Sequence, residues 1–174
     1  MEAYVGESDR ASHARFGPTA RNRVMYGPPG VAYVYLVYGM YHCLNVVTEP
    51  AGRPAAVLVR AVEPLEGVDA MRADVHPGRR AARATPPRDP PPERLAAGPG
   101  LVGRAFGLDR SHTGIDLLDP ASFLRLERAP NGEAPAVVVA TPRVGIAYAG
   151  EPWVSVPWRF FVEGSPSVSG RRAR

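Results

Sequence analysis

Val31–Val47 reads VAYVYLVYGMYHCLNVV. β-Branched and aromatic side chains fill it almost end to end, and these favour the pleated, half-buried surface of a sheet. The break at Tyr38-Gly39-Met40 divides it into two apolar runs. The segment therefore predicts a β-hairpin whose tip carries large side chains. Further along, Ala55–Val62 (AAVLVRAV) reads as a strand, too short and too β-branched for a helix. Phe123–Glu127, Ala136–Thr141 and Trp158–Val162 are the other predicted strands. Helices are fewer. Leu65–Ala73 places Leu65, Val68 and Met71 at helical spacing, and Gly100–Leu108 opens after Pro99. Short helices are expected at Asp9–Arg15 and Arg21–Tyr26. The sum is an α+β single domain over residues 1–174, with a mainly antiparallel curved sheet, short helices and a protruding aromatic hairpin.

Composition narrows the function. The chain has 174 residues, of which 45% are apolar, enough for one domain with its own core. No apolar run reaches the ~18 residues of a membrane helix, and no signal-peptide pattern opens the chain. A cytoplasmic protein is expected, with a monomer as the default and no membrane partner. Cys43 is the only cysteine, and His13, His42, His76 and His112 are scattered. Neither a disulfide nor a metal site is expected. Net charge is +4, and all 21 basic side chains are arginine. Without lysine, a covalent Schiff base would have only the α-amino group to form on.

His76–Pro92 (HPGRRAARATPPRDPPP) has almost nothing to bury and is expected to be a mobile Pro/Arg loop. The tail, residues 170–174, is expected to be disordered. Gly98-Pro-Gly-Leu-Val-Gly103 matches the dinucleotide fingerprint letter for letter. No strand precedes it and no βαβ unit surrounds it, so a nicotinamide cofactor is rejected and none other is expected. A G-x-S-x-G nucleophile elbow is absent.

Tyr4, Tyr33, Tyr35, Tyr38 and Tyr41 fall close together in the chain, interleaved with Arg10, Arg15, Arg21 and Arg23. A tyrosine stripe on a hairpin is ordinarily half-buried packing. Aromatic faces among cations are also what an unstacked base lies on. On these residues alone, packing and nucleic-acid binding stand level.

The ordered motifs Glu2-Ala-Tyr4, Arg21-Asn-Arg23, Tyr33-Val-Tyr35, Tyr38-Gly-Met-Tyr41, Asn45, Arg60-Ala-Val-Glu-Pro64, Arg143-Val-Gly-Ile146 and Gly164-Ser-Pro166 resemble the alkyladenine (3-methyladenine) DNA glycosylases. The resemblance spans nearly the whole chain, with the Pro/Arg tract least alike. It implies base-excision repair: hydrolysis of the N-glycosidic bond of alkylated purines flipped from damaged double-stranded DNA, with no lyase step. It places the general base at Glu2, with Arg60 beside it near the phosphate and the water. Tyr4, His13, Tyr35 and Asn45 would form the base pocket, Asn45 excluding guanine. Tyr38 would intercalate, and Tyr33, Met40, Tyr41, Arg21 and Arg23 would contact the DNA.

Two departures from that family bear on the expectation. Its members usually have tens of residues before E-A-Y and a threonine where Met1 stands. The expectation is a start placed downstream of the true one, with Glu2 frayed in the chain as written. The family also commonly has lysine at the position of Leu101, a lost phosphate contact. The competing expectation is a DNA-binding homologue with impaired catalysis. A single-strand RNA-binding β-module is the remaining alternative.

Overall fold

The computed structural model describes residues 1–75, 89–128 and 137–169. Of the predicted Pro/Arg loop only 89–92 lies among them, and the predicted tail lies outside. Six strands, β1 (Glu2–Val5), β2 (Ala32–Val37), β3 (Tyr41–Val47), β4 (Ala55–Leu58), β5 (Val138–Thr141) and β6 (Arg159–Val162), form one antiparallel sheet in the order β2-β3-β4-β1-β6-β5. Among the described residues two short helices accompany it, α1 (Val68–Val75) and α2 (Pro99–Ala105).

Register fixes which side chains share a face. Tyr33 pairs with Asn45, Asn45 with Leu58, Leu58 with Glu2, and Glu2 with Arg159. Cross-strand partners point the same way, and so do residues two apart. One face of the sheet therefore carries Glu2, Tyr4, Tyr33, Tyr35 and Asn45. It is closed by Ala14 and Met25, which come from two 3-10 turns (His13–Phe16 and Arg23–Tyr26) and pack on Tyr33, Val47 and Ala56. The other face carries Ala32, Val34 and Leu44 against Leu108, Leu117 and Leu124. Both sheet faces are buried at the hairpin, which is why its sequence is apolar throughout rather than alternating.

α2 lies on β3 because two glycines let it. A Cβ on Gly103 would sit 2.0 Å from the His42 carbonyl oxygen, and one on Gly100 would meet the Tyr41 ring at 2.7 Å. The glycines of the false dinucleotide fingerprint are thus contact points between a helix and a strand.

Several expected elements differ. Phe123–Glu127 forms no strand: Leu124 is buried but its neighbours are exposed, and no ladder accepts them. The expected helices near residues 9–15 and 21–26 are single 3-10 turns. There, side chains take the backbone's hydrogen bonds: Ser12 caps the Ala14 amide, and Asn22 binds the His13 and Gly17 carbonyls and the Thr19 amide. The helix predicted from Leu65 starts at Val68, since Gly67 at φ +71° interrupts it and Leu65 lies in solvent. β4 stops at Leu58, short of the predicted Val62.

Candidate active site

Glu2 is an ionisable side chain at the start of an interior strand, and it is fully buried (0% exposed). The expected fraying is not what the structure has. β1 is laddered to β4, the Ala3 amide donates to the Trp158 carbonyl, and the Met1 ammonium donates to the Phe160 carbonyl at 2.7 Å. A charge buried this deeply needs partners, and donors converge on it from three directions. The Val144 amide donates to Oε1 at 2.8 Å, the Tyr4 hydroxyl to Oε2 at 3.0 Å, and the Arg60 Nη1 lies 3.2 Å from Oε2. Burial, then the Glu2 charge, raises the Tyr4 pKa, so this hydroxyl keeps its proton and acts as a donor.

Beside the carboxylate, a cavity of about 60 Å3 opens among Tyr4, His13, Tyr35, Asn45, Ala56 and Tyr148. Tyr33 and Met25 form its inner wall. A larger cavity, about 590 Å3, lies on the opposite sheet face between Val46, Val57, Val59, Phe160 and Val162. Its walls are mainly aliphatic and aromatic, and its charged side chains are Arg60, Glu63 and Arg159. Chemistry is better served by the smaller one, where four tyrosines, an imidazole and a carboxamide converge next to a carboxylate.

His13 is edge-on to Tyr35, centroids 4.5 Å apart, and its Nδ1 meets the Tyr33 hydroxyl at 2.8 Å. Burial, with help from Arg21 and Arg15, lowers the His13 pKa to about 4. The ring is neutral at pH 7, and burial raises the Tyr33 hydroxyl. With both groups neutral, a single proton bridges this contact, and the imidazole tautomer sets which of the two donates it. Because the folded pKa is depressed, the unfolded chain binds more protons between pH 4 and 6.5. Stability is complete above about pH 6.5 and is lost as pH falls toward 4. Chemical unfolding across that window should show a shallower pH slope in His13→Gln than in the parent. Equal slopes would mean that His13 is not buried neutral.

Asn45 is anchored through Nδ2 on the Tyr33 and Cys43 carbonyls, at 3.1 and 3.4 Å, so its carboxamide is rigid. Burial raises Cys43, which stays a thiol. Tyr33, expected at the DNA surface, is 2% exposed and supports His13 instead. Tyr41 is half-buried against Gly100, with the Arg104 guanidinium 5.6 Å from its ring. Arg21 stacks 5.2 Å from the Tyr35 ring and donates to the Leu36 carbonyl, and Arg23 is exposed.

Tyr38 stands apart from the pocket, at the hairpin tip. It is 85% exposed at φ +53°, followed by Gly39 at φ +66° and the exposed Met40. Two successive positive φ values match the twist of a tight hairpin, but a tyrosine in that conformation costs roughly 1–2 kcal/mol. The fold gains no packing from this ring. Tyr38→Gly is expected to raise stability by up to about 1 kcal/mol, measured by denaturant unfolding. An unchanged or lower stability would show that the ring is held by contacts of its own.

Sequence reasoning missed the Val144 amide, Ala11, Ala56, Met25 and Tyr148. Backbone donors and small wall residues leave no local pattern. Val144 had one indirect signal, its place inside the Arg143-Val-Gly-Ile146 motif.

A family model described as methylpurine-DNA glycosylase (MPG) matches residues 1–166. A Methanocella arvoryzae protein named "Putative 3-methyladenine DNA glycosylase" is 46% identical over 170 residues, 98% of this chain and 77% of the relative. The DNA-3-methyladenine glycosylase of Mus musculus is 46% identical over 171 residues, covering 97% of this chain and 49% of the mouse protein. A Bacillus cereus (strain ATCC 14579) relative bearing the same name as the Methanocella protein is 40% identical over 173 residues, 97% of this chain and 80% of its own length. With matches of that identity running through every strand of the sheet, the chain belongs to the methylpurine-DNA glycosylase family.

Proposed function

We propose that this chain releases alkylated purines from duplex DNA by hydrolysing the N-glycosidic bond of a flipped nucleotide. The observation that carries the reading is the junction of a buried carboxylate, Glu2 with Arg60, and an aromatic pocket built from Tyr4, Tyr35, His13 and Asn45.

A purine methylated on a ring nitrogen is cationic and already a better leaving group. The task left to the protein is to place water and to stabilise an oxocarbenium-like sugar. Glu2 takes the proton of the attacking water and sets negative charge near the sugar. Arg60 holds the carboxylate's orientation and faces the backbone phosphate. Tyr4 and Tyr35 offer electron-rich faces, each favouring a cationic base by about 0.5–2 kcal/mol. Two such walls amount to a preference of about 5–1000-fold for cations over neutral bases of the same shape. The rigid Asn45 amide excludes guanine by occupying the space of its exocyclic amino group. Unstacking a nucleotide costs a few kcal/mol, and Tyr38, inserted from the minor groove, offsets part of it.

The sequence has no lysine. A Schiff base on a side chain is therefore closed to it, and the product is an abasic site in an intact strand. The test is single-turnover incubation with methylated duplex DNA, following free base and strand integrity separately. Free methyladenine with an intact backbone is expected. Strand scission without alkali or heat would overturn the water mechanism, and binding without base release would make the protein a DNA-binding homologue.

A further inference from the structure

Arg143 lies far from Glu2 in sequence, and its guanidinium is not part of the pocket wall. It is nevertheless tied to the pocket from several sides. The Nη1 and Nη2 atoms bind the two Asp9 oxygens at 2.6 and 2.9 Å, both side chains fully buried. Nη1 also donates to the Ala3 carbonyl at 2.9 Å, on the strand residue between Glu2 and Tyr4. The flat cation stands between two rings, 4.8 Å from the Tyr4 centroid and 5.1 Å from that of Trp158. Asp9 extends the clamp, accepting the Val5 amide at 3.2 Å and the Ala11 amide at 2.9 Å. The next residue after Arg143 supplies the amide that binds Glu2 Oε1.

We infer that the Arg143–Asp9 pair is a positioning device. It locks the Arg143–Val144 segment onto β1, so that the Val144 amide holds the Glu2 carboxylate while the Tyr4 ring is braced against the guanidinium. The inference rests on the reading of Glu2 as the base. Neither Arg143 nor Asp9 touches DNA or water in this scheme; each acts through Glu2 and Tyr4. A fold-stabilising role alone would be poor value for a buried ion pair, which apolar residues of similar size often replace without loss. Its geometry is what apolar residues lack: a planar fork that binds a carboxylate and a strand carbonyl while stacking on two rings.

The test uses Arg143→Lys, which keeps the charge for Asp9 but not the fork or the flat face, and the double variant Asp9→Asn with Arg143→Gln, which keeps polar shape without charge. Single-turnover base release is expected to fall about a hundredfold in both, the effect of misplacing a catalytic group by ~1 Å. Affinity for lesion-containing duplex should change less than threefold. Amide exchange of Val144, followed by NMR without DNA, should accelerate at least tenfold while the Ala3 amide and the β4 amides stay protected.

Rates within threefold of the parent would overturn the inference, as would unchanged Val144 exchange. So would loss of the folded state in both variants, which would make the pair a folding element. A parent protein that releases no base, combined with faster Val144 exchange in the variants, would instead remove the proposed function and leave the clamp standing.

Discussion

Glu2→Gln is expected to slow single-turnover base release by roughly 10³-fold, within the range for losing a positioned general base, with duplex binding changed only a few-fold. Glutamine has nearly the same shape, so packing is conserved, but its chemistry is opposed to the site. The Val144 amide and the Tyr4 hydroxyl both donate to the carboxylate, and Arg60 lies beside it. Whichever way the new amide is turned, its NH2 faces a donor. A mismatch of that kind costs about 1–3 kcal/mol in a buried setting, so the midpoint of unfolding should fall as well. The rate effect is separable because it exceeds the loss in stability and persists well below the melting temperature. Base release within threefold of the parent would remove Glu2 from the mechanism.

Gly103→Ala is expected to be the most damaging methyl addition among the described glycines. Its Cβ would lie 2.0 Å from the His42 carbonyl oxygen, and a backbone atom in a paired strand has nowhere to go. Either α2 lifts away from β3 or β3 gives up its register with β2. Overpacking of this kind costs about 3 kcal/mol or more, or roughly 6–12 °C in Tm for a domain of this size. Thermal unfolding would check it. A shift below about 2 °C would mean that α2 is loosely held. Since the hairpin carrying Tyr38 is seated on α2 through β3, DNA affinity should fall too. The companion change Gly107→Ala has open space around its Cβ but sits at φ +60°, so its smaller cost is one of backbone conformation alone.

The hairpin was legible in sequence because its signals are local. Tyr33, Tyr35, Cys43 and Asn45 declare a strand pair within seventeen residues, and Gly39 declares the turn. β1 was not. A four-residue strand opening with a glutamate has no propensity to speak of. Its conformation is set by Leu58 on one side and Arg159 on the other, both remote in the chain. Phe123–Glu127 shows the converse. It alternates like a strand, but only a single amide, Leu126 to the Leu117 carbonyl, finds a neighbouring chain. Pattern proposes a strand, and only a partner makes one.

The site divides along the same line. The roles of Glu2, Tyr4, His13, Tyr35, Asn45 and Arg60 came from the resemblance, and the fold gathers all of them around one carboxylate and one small cavity. Tyr33 was misjudged because a tyrosine's position in a stripe does not reveal its depth. Arg143 and Asp9 were invisible as a pair because nothing in sequence couples residues so far apart.

Glu2 lies on an interior strand, gripped by β4 on one edge and by β6 on the other. A group so placed cannot travel to meet its substrate. In the proposed reaction, the compliance needed to bring sugar and carboxylate together then has to come from the DNA. Bending, unwinding and local melting of the duplex then become the adjustable quantities. The stiffness of the base-pair steps around a lesion enters the outcome alongside the chemistry of the lesion itself.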